Sequence, residues 1–150
     1  MKNHVVLIIV LFLLVLVTAN CTSSNNSELL YIDEKGIIHI EIEKILDEFK
    51  VDNKKIPFAF LRYRGKSKTY ITYMEIENNP LLCGDDAPIY SASSFDFDIY
   101  SDGNYLTIVS ELKKVMLENG FIWIEDSIDM YEEDTGLYHK TITFAKERRI

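Results

Sequence analysis

No pair of cysteines or histidines in this sequence has the spacing of a metal site. The only cysteines are Cys21 and Cys83, and His4, His39 and His139 lie far apart. Neither a Cys-x-x-Cys nor a His-x-x-x-His arrangement is present, so zinc ligation has no support in the spacing and no cofactor is expected. Ser91, Ser93, Ser94 and Ser110 lack the glycine context of a nucleophile elbow, and no nucleophile signature surrounds Cys83. Covalent catalysis therefore has no motif to rest on. With six glycines and three prolines against nine tyrosines and eight phenylalanines, the composition argues for a folded, β-containing domain. No internal repeat is visible, which excludes a solenoid or a propeller. Positive charge is also scarce, with 16 Lys and Arg against 24 Asp and Glu and a net charge of −8. The cations are scattered among carboxylates, so nucleic acid is excluded as the expected partner, whereas a basic protein or a cation suits the surface.

A long apolar run is missing too. Residues 5–17, VVLIIVLFLLVLV, reach 15 apolar positions only if Thr18 and Ala19 are counted, and a spanning helix needs about 20. A short start carrying Lys2, an apolar stretch of this length and small residues after it fit a signal peptide over residues 1–20. Two cleavage sites compete. Val17 and Ala19 suit cleavage after Ala19, which would leave a secreted or periplasmic chain.

Alternatively, Thr18-Ala19-Asn20-Cys21 resembles the lipobox of bacterial lipoproteins, where cleavage falls immediately before a diacylated cysteine. The family usually has leucine where this chain has Thr18, and glycine, alanine or serine where it has Asn20. The resemblance covers the first 21 residues alone. It implies that Cys21 carries the lipid and holds the protein to a membrane. Because Thr22 is not aspartate, it further implies the outer membrane, facing the periplasm or the cell surface. Residues 21–27 then read as a polar tether. An acylated Cys21 leaves Cys83 without a partner, and a buried, small apolar thiol is its expected fate. An unlipidated Cys21 would instead permit a Cys21–Cys83 disulfide.

Residues 28–150 read as one domain. ELLYIDEKGIIHIEI, residues 28–42, suggests strand, turn and strand, with Ile38, Ile40 and Ile42 on one face. Ile42, Ile45, Leu46 and Phe49 follow at helical spacing, so a short helix follows that strand or replaces its end. Residues 57–64 and 69–77 flank GKSK and predict a hairpin. Residues 78–88 read as a loop from their Asn, Pro, Gly and Asp content. Phe95, Phe97 and Ile99 alternate with Asp96 and Asp98 in a half-buried strand. Residues 105–118 predict a helix with a stripe of Tyr105, Ile108, Val109, Leu112, Val115 and Met116, capped by Asp102 or Asn104 and stopped by Asn119-Gly120. A closing hairpin around residues 132–135 and a basic tail complete the chain. The expected class is α+β, an antiparallel or mixed sheet with one or two helices packed on one face.

Asp96, Asp98, Asp102 and Gly103 are off the spacing of an EF-hand loop, which leaves strand and cap roles for them. Residues 125–134 hold six carboxylates. Together with Asp85 and Asp86, those at Glu132, Glu133 and Asp134 are the candidate partner-facing residues, although charge at hairpin tips is commonly a solvated face. Arg62, Arg64, Lys66 and Lys68, interleaved with Tyr63 and Tyr70, form the one basic and aromatic patch, suited to a phosphate or an acidic partner, or simply to solubility. The function expected from all this is a membrane-anchored envelope lipoprotein whose acidic domain binds a protein partner, as a toxin-neutralising immunity protein or an accessory subunit of an envelope complex would. The alternative is a small tethered hydrolase or a carbohydrate-binding module.

Overall fold

A computed structural model describes the backbone of residues 26–84 and 87–149, and the side chains of residues 37–83 and 89–149. The expected signal peptide, Cys21, most of the expected tether, Asp85 and Asp86 lie outside the described residues. The chain divides into two units, Met1–Lys35 and Gly36–Ile150, and the tertiary description below concerns the second.

The elements in order are α1 (Asn26–Glu48), a two-stranded ribbon of β1 (Lys50–Val51) and β2 (Lys54–Lys55), β3 (Phe58–Phe60), β4 (Tyr70–Gly84), β5 (Ala87–Ser101), α2 (Leu106–Glu118), β6 (Ile122–Asp126), β7 (Met130–Glu132) and β8 (Leu137–Arg149). The main sheet has the order β3-β4-β5-β8-β6, with β7 also on β8. β3 is parallel to β4 and every other pairing is antiparallel, so the sheet is mixed. Ile38, Ile42, Ile45 and Leu46 of α1 and Ile108, Leu112 and Met116 of α2 share one core with Ile71, Tyr73, Phe95, Phe97, Ile99, Ile142 and Phe144 from one face of the sheet. This is the expected α+β architecture.

Four sequence expectations are corrected. Residues 28–42 form the first part of α1 rather than a strand hairpin. The isoleucines satisfy both periods, and burial decides between them, because Ile38 and Ile42 are buried while Ile40 is 51% exposed. A strand would have put all three on one face. Gly36 inside the helix costs about 1 kcal/mol relative to alanine, which packing of the apolar stripe outweighs.

Residues 57–77 do contain paired strands, but the pairing is parallel, with Phe58 opposite Ile71. The chain turns sharply at Leu61, whose φ is +59°. Arg62 N–H donates to the Phe60 carbonyl at 2.6 Å across it, and Leu61 N–H donates to the Tyr73 carbonyl at 2.9 Å. This is a γ-turn of the rarer, strained hand, and residues 61–69 become a crossover loop.

Residues 78–88 are not a loop, because β4 and β5 run through them as a paired arm with register shifts at 75/77, 80/82 and 82/83. Pro80 is tolerated there because β3 pairs only with residues 71–73 and leaves the rest of β4 at an edge. Cys83 stands in this arm as a free thiol and is exposed, not buried. The tail residues Lys146 and Arg149 lie within β8, paired with Ser93 and Tyr90 of β5.

The α2 expectation holds closely. The N-cap position is Tyr105, which makes no side-chain cap bond, rather than Asp102 or Asn104; Asn104 just before it accepts at Oδ1 from Leu106 N–H at 3.0 Å. At the other end, Gly120 takes φ +75°, Gly120 N–H donates to the Leu117 carbonyl at 3.0 Å and Phe121 N–H to that of Met116 at 3.1 Å. That double bond is the Schellman stop, closed by the buried pair Phe121 and Met116.

Candidate functional site

The face of the sheet away from the helices carries a polar ladder. Asp96 and Asp98 alternate with the buried Phe95, Phe97 and Ile99 along β5, and the antiparallel register sets Asp96 opposite Thr143 and Asp98 opposite Thr141. Thr143 Oγ1 donates to Asp96 at 2.6 Å and Thr141 Oγ1 to Asp98 at 2.7 Å. His139 Nε2 lies 3.1 Å from the same Asp98 oxygen, and its Nδ1 lies 3.2 Å from Glu132 of β7. Glu132 is held in turn by Thr135 Oγ1 at 2.9 Å.

A row of rings crosses the strands beside this cluster. Tyr70, Tyr100 and His139 stand opposite one another on β4, β5 and β8, and stack at 4.8 Å and 4.3 Å between centroids, with Tyr63 added at 4.5 Å from Tyr70. Gly65 makes room for the end of the row, since a Cβ there would meet the Tyr63 hydroxyl at 2.0 Å.

Burial, then the carboxylates of Asp98 and Glu132 and the neighbouring Tyr70, push the Tyr100 hydroxyl up to about 12. Tyr70 is raised by burial first, then by Glu132 and Tyr63. Tyr73, on the opposite face, is raised further by burial and by Glu43, to which its hydroxyl donates at 3.2 Å. A phenol with a raised folded-state pKa favours folding below the unfolded value near 10 and loses that contribution as pH climbs toward the folded value. Between pH ~10 and ~12 the chain is therefore expected to lose stability, with the phenolate absorbance of these tyrosines lagging and then rising together with unfolding. An early, complete titration of all nine tyrosines with the fold intact would contradict this.

The geometry limits what the cluster does chemically. Both imidazole nitrogens of His139 are engaged by carboxylates on opposite sides, which leaves neither nitrogen for a nucleophile or a substrate proton. No group of three or more His, Cys, Asp or Glu among the described residues is placed to hold a metal. His39 lies on α1, 3.7 Å from Glu75 and between the rings of Phe60, Tyr73 and Phe95.

Three of the six carboxylates at residues 125–134 are paired. Asp126 meets Lys113 at 2.6 Å and accepts from Trp123 Nε1 at 2.9 Å. Asp129 meets Lys140 at 2.9 Å, and hydrogen bonds from Lys140 and then Tyr105 hold its carboxyl below the usual range. Glu132 belongs to the His139 cluster. Glu125, Glu133 and Asp134 remain exposed. The turn holding Glu133 and Asp134 opens β8, where Tyr138 pairs with Ser101 at the C-terminal end of β5. Asp85 and Asp86 follow β4 and precede Ala87 at the N-terminal end of β5.

What the sequence reading passed over is the outer edge of β6. β6 pairs with β8 alone, so its other edge is unpaired among the described residues. Ile122, Trp123 and Ile124 are each about half exposed there, and Ile128 beyond them is 77% exposed. Lys113 Nζ sits 4.4 Å over the Trp123 ring. The signal was present in the four consecutive apolar residues of FIWI, because an edge strand with one covered face hides only alternate side chains. Phe121 is buried and the next three are not. No family model matches the chain, and no curated protein matches it.

Proposed function

We propose that this chain is an envelope lipoprotein, acylated at Cys21, whose acidic domain binds a protein partner by accepting an extended segment along the outer edge of β6. The observation that carries this reading is the exposed edge itself. An unpaired strand offers a row of N–H and C=O groups, which natural proteins otherwise cover, charge or shorten. Here it is flanked by exposed isoleucines and a tryptophan, the combination that strand-addition sites use for affinity and side-chain selection. Glu125, exposed at the end of the strand, and the net charge of −8 favour a segment that pairs apolar residues with a lysine or arginine. An unbridged Cys83 is what acylation of Cys21 requires.

The alternative, a tethered hydrolase or carbohydrate-binding module, draws less support. The one histidine and aspartate pair on the open face has both ring nitrogens occupied, and the tyrosines stack on each other, which covers the ring faces a sugar would lie against.

Two variants of the full chain in its own cells test the reading. In a mild detergent extract run on a native gel, the wild-type chain is expected in a complex, and Ile122→Lys with Ile124→Lys is expected to run as the free chain with an unchanged circular dichroism spectrum. Unchanged migration of the double variant would remove β6 from the account. Cys21→Ala is expected to abolish labelling by radioactive palmitate, and membrane retention of a wild-type chain that takes no label would end the lipoprotein reading.

A further inference from the structure

The loop between β3 and β4 concentrates positive charge in a chain whose net charge is −8. Between Asp52 and Glu75 there is no carboxylate, and Arg62, Arg64, Lys66 and Lys68 alternate through the loop. All four are exposed. Among the described residues none of them makes an ion pair or a hydrogen bond with another side chain, whereas Lys55, Lys113, Lys140 and Lys146 each do.

Directly before these cations the fold turns Leu61 outward, next to Phe60, whose inner side packs on His39 and Tyr73. Phe60 is about half exposed and Leu61 is 61% exposed, and Leu61 holds its φ of +59° in the strained γ-turn described above. A β-carbon-bearing residue in that region costs free energy, yet the turn is fixed from both sides by the bonds to Phe60 and Tyr73. The result is an outward leucine beside the exposed edge of Phe60, with four unpartnered cations next to them.

We infer that residues 60–68 dock against the surface of a bilayer containing anionic phospholipid. The cations would meet headgroup phosphates, and Leu61 and Phe60 would enter the boundary between headgroups and acyl chains. Exposed apolar residues flanked by Lys and Arg are the chemistry of interfacial membrane contact. The other polyanions fit less well. A single strand of nucleic acid needs open aromatic faces for its bases, and the Tyr63 ring is stacked on Tyr70 with Gly65 against it. An acidic peptide would use the cations but leaves no role for the outward Leu61. The inference stands apart from the β6 reading, because the loop lies at the opposite edge of the sheet from β6.

The test uses the wild-type full chain reconstituted into vesicles of phosphatidylcholine alone or with one third phosphatidylglycerol. Trypsin cleavage after Arg62, Arg64, Lys66 and Lys68 is followed, with cleavage after Lys54 as the internal reference. On the anionic vesicles, cleavage in the loop is expected to slow about tenfold relative to Lys54, the effect of little more than one headgroup contact. The protection is expected to vanish in about 0.5 M sodium chloride, where the screening length is roughly 4 Å. Arg62→Gln with Lys66→Gln is expected to lose most of it at the two sites that remain, and Leu61→Ser to lose part of it without touching any charge. Equal cleavage on both vesicles overturns the inference. So does equal protection by inorganic phosphate, or by an acidic peptide such as polyglutamate, added to the neutral vesicles, since either would make the loop a general anion site.

Discussion

Phe97→Ala lowers the unfolding free energy of the domain by about 3–5 kcal/mol, measured by denaturant titration of the full chain with an unchanged m value. Phe97 sits in the middle of β5, the central strand, and is fully buried. Its ring stacks at 5.9 Å on Tyr73 of β4 and meets Phe144 of β8 edge-on at 5.6 Å. Truncation therefore removes the contact that ties three adjacent strands together beneath the helices, and leaves a cavity. Against a total stability of roughly 5–15 kcal/mol, this loss moves the chain close to its unfolding threshold. A cost below about 1 kcal/mol would mean that the face carrying Phe97 is not the core face.

The second large effect separates the two periodicities that compete in residues 28–42. Ile42→Lys, at a fully buried position on α1, is expected to cost more than about 4 kcal/mol, because it places an unpaired charge among Leu46, Tyr73 and the other core side chains. Ile40→Lys, half exposed on the other side of the helix, is expected to stay within about 0.5 kcal/mol of the parent. In a strand the two side chains share one face and the two costs would match. Thermal and denaturant midpoints of the two variants side by side distinguish the cases.

That competition shows how far the fold was legible in the sequence. α2 was, because its stripe from Ile108 to Met116 has a single period and ends in an Asn-Gly stop. β5 was, because Phe95, Phe97 and Ile99 alternate with carboxylates that have threonine partners across the sheet. α1 was not, because isoleucines at 38, 40 and 42 match period two and those at 38, 42 and 45 match the helix, and only burial against a distant sheet decides. The parallel pairing of β3 was hidden for a similar reason. Nothing in GKSK shows that the chain has already reversed at Leu61 through hydrogen bonds to Phe60 and Tyr73.

The candidate site was legible as charge and not as geometry. Composition places six carboxylates at residues 125–134, but it does not show that Lys113, Lys140 and His139 stand against three of them. The exposed side chains of Ile122, Trp123 and Ile124 on β6 are uncharged, which is why a reading led by charge passed over them. The polar row of Asp98 and Tyr100 on β5 and His139 on β8 comes from two strands far apart in the sequence and converges only through their register.

The account's central claim is that a partner lies along the outer edge of β6. A photocrosslinking residue placed at Ile124 of the full chain, in its native cells, tests this most directly, with the same residue at Asn53, exposed in the β1–β2 turn, as the comparison. The account expects one discrete adduct from position 124, none from 53, and loss of the adduct when Ile122→Lys is added. Adducts of equal yield from both positions, or none from 124 while the chain still migrates in a complex, would contradict it.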